Sequence, residues 1–161
     1  MFQVSWSEEI RCPAGVVFAF AGDYANDTSW RKGVLSMVYE TSGPPRVGAR
    51  TREAMRSMGR TAVTVAEVTE YSSSRTAFRS LSGPVTCEGV REFIATPAGT
   101  RFTYSLTLRP AGALRALEPL LRLVLARQVR DDVRRLKLQL ESAQAPEACR
   151  PSSRSSTSSA E

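Results

Sequence analysis

Histidine is absent from all 161 residues. That gap excludes Ser-His-Asp and Cys-His nucleophile arrangements, His-ligated zinc and the commonest general base. Cysteine is scarce: Cys12, Cys87 and Cys149 are odd in number and share no close spacing. They form neither a zinc motif nor a disulfide framework, and free thiols in a reducing cytoplasm are the simplest account. No apolar run approaches the ~20 residues of a membrane helix, and the opening MFQVSWSEEIRC lacks the apolar core of a signal peptide. A cytoplasmic protein with no metal or cofactor is therefore expected. Any catalysis would rest on carboxylates, Tyr, Arg or water, so a binding protein is favoured over an enzyme.

Lysine is nearly missing too, with only Lys32 and Lys137, so arginine carries almost all of the basic excess behind the net charge of +6. No cluster of five or six basic residues forms. Arg50, Arg52, Arg56 and Arg60 are spaced as on strands, with acidic neighbours, and no nucleic-acid partner is expected.

What the chain does contain is one long stretch of helical period, from Ala113 to about Glu141. Leu117, Leu121, Leu125, Val129, Val133, Leu136 and Leu140 recur at steps of three and four and fall along one side. At 1.5 Å per residue such a helix is about 40 Å long, enough to cross a small sheet. Pro119 argues against an unbroken rod, because an interior proline kinks a helix; a bend, or a restart near Glu118, is expected.

Almost everything before it reads as strand. Phe2 to Ile10 alternates apolar and polar residues, and Pro13 opens a short helical run to Ala21. A second short helical turn is expected at Thr28 to Trp30. Strands then follow over 34–39, 49–56, 60–71, 76–81, 85–95 and 101–109, separated by Gly, Pro and Ser turns too short for parallel returns. If the last hairpin pairs Ala95 with Thr100, then Phe93 faces Phe102, Arg91 faces Tyr104 and Gly89 faces Leu106. Phe102, Tyr104, Leu106 and Leu108 then form a dry side that needs covering, and the long helix is the only element large enough.

That register points Arg91 inward, where a guanidinium needs a partner such as Glu53, Tyr104 or a ligand carboxylate. A slip of one residue would turn Arg91 outward and Glu92 inward, and this solvated placement is the favoured one.

The order of elements, with certain residues in place, resembles the START-like (SRPBCC) superfamily of helix-grip proteins. The likeness is to its bacterial polyketide cyclase/dehydrase-like branch. It rests on Pro13, Val17 and Phe18 opening the first helix, Trp30 before the second strand, and Val47-Gly48-Ala49-Arg50 entering the third. Gly99-Thr100-Arg101 in the last strand and Leu136-Lys137 with Leu140-Glu141 late in the helix complete it, over about residues 2 to 142. The resemblance implies an α+β domain, residues 1–143, with a curved seven-stranded antiparallel sheet around the C-terminal helix and two short helices between strands 1 and 2. It also implies an elongated apolar cavity between sheet and helix, and no shared catalytic set.

The expected partner is accordingly a hydrophobic small molecule: a lipid, a quinone or a polyketide-like compound. Its expected contacts are Trp30, Met55, Arg91, Phe93, Phe102, Tyr104, Leu117, Leu121 and Val124, with Trp30 either gating the mouth or anchoring the core. A cyclase/dehydratase using Tyr, Arg and carboxylates is the enzymatic alternative, and a partner-binding module on the basic helix face is a third. Leu120 and Leu123 lie off the main stripe beside Arg115, Arg122 and Arg127. They allow peripheral membrane contact or a homodimer instead of a monomer, although core packing is the favoured role. Residues 144–161 are rich in Ser, Pro and Ala without apolar periodicity and are expected to be a disordered tail.

Overall fold

The computed structural model describes residues 1–57 and 59–144. The expected tail therefore lies outside the described residues, except for Gln144, which ends the long helix. The chain runs β1 (Phe2–Ile10), α1 (Ala14–Ala21), α2 (Asp27–Trp30), β2 (Val34–Tyr39), β3 (Arg50–Ser57), β4 (Arg60–Ser72) and β5 (Arg75–Ser82). It continues with β6 (Thr86–Thr96), β7 (Gly99–Arg109) and α3 (Glu118–Gln144). The strands form one antiparallel sheet in the order β1-β7-β6-β5-β4-β3-β2. Hairpins of two or three linking residues explain the run from β3 to β7, a ten-residue connection brings β2 beside β3, and β1 closes on the free edge of β7.

Alternation in the sequence sets the faces. Phe2, Val4 and Ile10 of β1 are buried while Gln3 and Ser5 are exposed, and Phe102 and Tyr104 of β7 face the same interior. The β6–β7 hairpin takes the expected register: Ala95 pairs with Thr100, Phe93 with Phe102, Arg91 with Tyr104 and Gly89 with Leu106. Its turn ends at Gly99, whose φ of +147° suits glycine, and a Cβ there would lie 2.2 Å from the Ile10 carbonyl oxygen. Register shifts in β2–β3 and β4–β5 mark bulges, which bend the sheet around the helix.

The approach to α3 answers the question Pro119 poses. Gly112–Leu117 form a 3-10 turn, and the α-helix begins at Glu118, so Pro119 sits in its first turn, where its missing N–H costs nothing. Over its 27 residues α3 buries Val129 near its middle and Asp132, Val133, Leu136 and Leu140 in its second half. This half packs on β1 and closes a core with Trp30, Phe93 and Phe102. Leu120 and Leu123, at 52% and 50% exposure, lie on the side of α3 away from the core and do not pack into it as expected. Leu117 is a further correction: it belongs to the 3-10 turn, is 48% exposed, and is out of phase with the stripe beyond Pro119.

Candidate functional site

Since α3 anchors through its second half, its first half stands over the concave sheet without filling the space beneath. A cavity of about 540 Å³ remains there. Its walls are mostly apolar: Met37 from β2, Met55 from β3, Phe78 from β5, Leu106 and Leu108 from β7, and Leu121, Val124 and Leu125 from α3. Pro84, Val85 and Leu114 extend the lining beside the end where the 3-10 turn meets α3.

Gly89 decides how Phe78 sits. A Cβ on Gly89 would lie 2.1 Å from a ring carbon of Phe78, so the ring rests directly over the bare backbone of β6. Any larger residue at 89 would drive the ring off that backbone.

Polar groups gather at the other end of the cavity. Tyr24, Arg31, Glu53, Tyr104, Gln128 and Asp132 contribute to its wall. Asp27 opens α2 and is fully buried; its Oδ2 accepts from Arg91 Nη2 at 2.6 Å and from Arg31 Nη1 at 2.9 Å, one helical turn on. Arg31 also donates to Glu53 Oε2 at 2.5 Å. Arg91 donates a further bond to the Ala21 carbonyl at 2.8 Å, and its guanidinium carbon lies 4.4, 5.1 and 5.2 Å from the ring centroids of Tyr24, Trp30 and Tyr104. Asp132 of α3 accepts from the Lys32 backbone N–H at 2.8 Å and ties the helix to the loop after α2.

Burial weakens the hold of the Arg31 guanidinium on its proton, but the Glu53 and Asp27 carboxylates outweigh it and keep Arg31 firmly charged. Burial moves the Tyr104 phenol well above its ordinary value, ahead of the opposing pull of Arg31 and Arg91, so Tyr104 is a hydrogen-bond donor at neutral pH. Burial also pushes the Asp132 carboxyl up to about 6, against the Lys32 hydrogen bond and the charges of Arg31 and Arg135. The Cys87 thiol on the cavity wall is raised by burial as well, which keeps it protonated and a poor nucleophile. Among the described residues no group of three or more Cys, Asp or Glu side chains could hold a metal ion. No helix among them is long and apolar enough to cross a membrane.

Of the residues expected to contact a ligand, Met55, Tyr104, Leu121 and Val124 line the cavity. Trp30, Phe93 and Phe102 do not: they are buried in the packed core, where Trp30 meets Phe102 edge-on at 6.0 Å and Phe93 meets it at 5.3 Å. Leu117 is displaced from the wall by Leu114. Arg91 is neither the solvated residue favoured from sequence nor a wall residue. It is fully buried, and Asp27, not Glu53, is its carboxylate partner.

Sequence reasoning missed Asp27, Arg31 and Asp132. All three left a signal. Asp132 falls on the α3 stripe between Val129 and Leu136, where a carboxylate is out of place, and Asp27 and Arg31 have the i, i+4 spacing of a helical ion pair.

Residues 1–141 match the protein family described as polyketide cyclase/dehydrase and lipid transport. No curated protein matches the chain. Among solved structures it is similar to protein TTHA0849 from Thermus thermophilus, with a TM-score of 0.77 and 22% identity over 89% of this chain and 99% of that one. The Zhui aromatase/cyclase from Streptomyces sp. R1128 aligns with a TM-score of 0.74 and 16% identity over 92% and 98% of the two chains. A START superfamily protein from Mycobacterium smegmatis aligns at 0.65 and 13% identity over 90% and 98%. At these identities the likeness concerns the fold.

Proposed function

The chain belongs to the polyketide cyclase/dehydrase and lipid transport family, and from that premise we propose that it is a non-enzymatic carrier or binding protein for one hydrophobic small molecule. The ligand lies between the sheet and the first half of α3. The observation that carries this reading is the cavity of about 540 Å³ with its largely apolar wall. Small-molecule sites are typically about 300–1,000 Å³, apolar, with a few polar groups that fix orientation. A lipid, a quinone or a polyketide-like compound meets that description. Protonated Tyr104 and Cys87 suit binding better than nucleophilic chemistry. The free thiols of Cys12 and Cys87 fit a cytoplasmic setting. Leu120 and Leu123, exposed on α3 with Arg127 between them and the second half, supply a face for transient contact with an anionic membrane.

Titration with an apolar fluorescent probe should saturate at one probe per chain with micromolar affinity, equivalent to about 8 kcal/mol. Fatty acids, quinones or aromatic polyketides should compete. Ala66→Phe places a ring in the cavity from a wall residue and should abolish binding, while Arg134→Ala, exposed on α3, should leave it intact. Leu120→Glu/Leu123→Glu should release the protein from anionic vesicles without touching probe affinity. Absence of saturable probe binding to the native protein would overturn the carrier reading.

One feature favours the enzymatic alternative. Asp132, on the cavity wall with its carboxyl pushed up to about 6, is able to exchange a proton near neutrality. Conversion of a bound polyketide, lost in Asp132→Asn, would establish a cyclase or dehydratase in place of a carrier.

A further inference from the structure

The inner end of the cavity combines paired charges with unfilled hydrogen-bonding groups, of which the Tyr104 hydroxyl and Arg31 Nε belong to wall residues. Arg91 is engaged by Asp27, and Arg31 by Asp27 and Glu53. Two guanidinium groups thus meet two carboxylates, and Asp132 adds a further negative charge whenever it is ionised. The only other basic side chain on the cavity wall, among the described residues, is Arg60 at the exposed start of β4. A ligand carboxylate pushed to the inner end would face Glu53 and Asp132 and find its cations already paired. Attraction in a poorly hydrated site depends on such compensation, so an anion is excluded there.

Tyr104 presents the opposite situation. Its side chain is fully buried, it forms part of the cavity wall, and its hydroxyl has no hydrogen-bond partner among the described residues. A buried phenol that remains protonated is a donor in need of an acceptor, and leaving it unpaired costs free energy that a ligand atom can recover.

We infer that the ligand enters with an uncharged hydrogen-bond acceptor leading, a ketone, quinone or ester carbonyl that accepts from the Tyr104 hydroxyl, and not with a carboxylate. This rests on the carrier reading and narrows it to a class of ligand: an apolar body ending in a neutral carbonyl. A fatty acid can then occupy the cavity only reversed, with its carboxylate at the rim near Arg60.

The test uses a matched pair, tridecan-2-one and dodecanoate, which carry the same undecyl chain, each displacing an apolar fluorescent probe from the full chain at about pH 8. The ketone should bind about tenfold more tightly than the carboxylate. Tyr104→Phe should lower ketone affinity by a similar factor and leave carboxylate affinity unchanged. Because the hydroxyl bonds to no described residue, the same substitution should not lower the urea midpoint, which separates lost recognition from lost folding. Carboxylate binding as tight as ketone binding would overturn the inference. So would a Tyr104→Phe protein that holds the ketone as well as wild type, or a bound probe that the ketone fails to displace. If the probe itself does not bind, the carrier reading falls, a result distinct from each of these.

Discussion

Asp27→Ala tests the buried network most directly. Asp27 is fully buried and, among the described residues, is the only carboxylate within bonding distance of Arg91, which is itself fully buried. Without Asp27, Arg91 retains only the Ala21 carbonyl and three aromatic faces, none of which carries a full charge. Arg31 is less affected, because Glu53 stays in place. The substitution therefore strands one cation in the interior. Removing one partner of a buried pair costs about 3–5 kcal/mol, a large share of the roughly 5–15 kcal/mol that holds a domain together. Arg31→Ala leaves Asp27 paired with Arg91 and should cost less, about 1–3 kcal/mol. The double change Asp27→Leu/Arg91→Met removes both charges and fills similar volume, so it should recover most of the loss. Urea unfolding with a common slope gives each difference from the midpoints. If Asp27→Ala costs less than about 1 kcal/mol, or the double variant loses the sum of its two singles, Arg91 does not depend on Asp27 as described.

Two further outcomes follow from burial along α3. Leu136→Ala, at a fully buried position in the packed core, should cost about 2–5 kcal/mol, whereas Leu121→Ala, half-buried against open cavity, should cost less than half as much; equal losses in urea would contradict the cavity's position. Asp132, carried by burial from 3.8 up to about 6, binds its proton more tightly in the folded chain than in the unfolded one. Its contribution to stability is complete below about pH 4 and is lost as pH rises through about 6, so Asp132→Asn should gain stability relative to wild type between those limits. A constant difference between the two proteins from about pH 4 to 7 would refute the raised carboxyl.

Much of this architecture is legible in the residues. The β6–β7 register follows from one turn, Thr96-Pro97-Ala98-Gly99, and the alternation of Phe102, Tyr104, Leu106 and Leu108, because a slip of one residue would expose that whole row. Pro119 fixes the restart of α3 for an equally local reason. Arg91 could not be placed in the same way. Its partner Asp27 lies 64 residues earlier, on a short helix whose docking depends on the finished core. Trp30, Phe93 and Phe102 expose a related limit of pattern reading. Alternation says that Phe93 and Phe102 face inward, but whether an inward ring meets packed side chains or open cavity depends on which half of α3 lies above it. Leu117 falls on the stripe only if the helical period is extended back across Pro119, where the chain tightens into a 3-10 turn and the phase is lost.

The uneven burial of α3 makes that helix a cantilever. It is clamped from Val129 onward by Val133, Leu136 and Leu140, and its first eleven residues carry no buried side chain. The clamp is reinforced where Asp132 holds the Lys32 backbone, next to Gln128, whose amide reaches the Lys32 carbonyl at only 3.4 Å. Lifting the first turns would break the Met1–Glu118 ion pair and the contacts that Leu121 and Leu125 make at the edge of the core, while Val129 to Leu140 stay packed. On the carrier reading, loading and unloading would thereby be separated from global unfolding. On that reading residues before the clamp would set how fast a guest comes and goes, and residues after it how long the protein survives, so one could be retuned with little cost to the other.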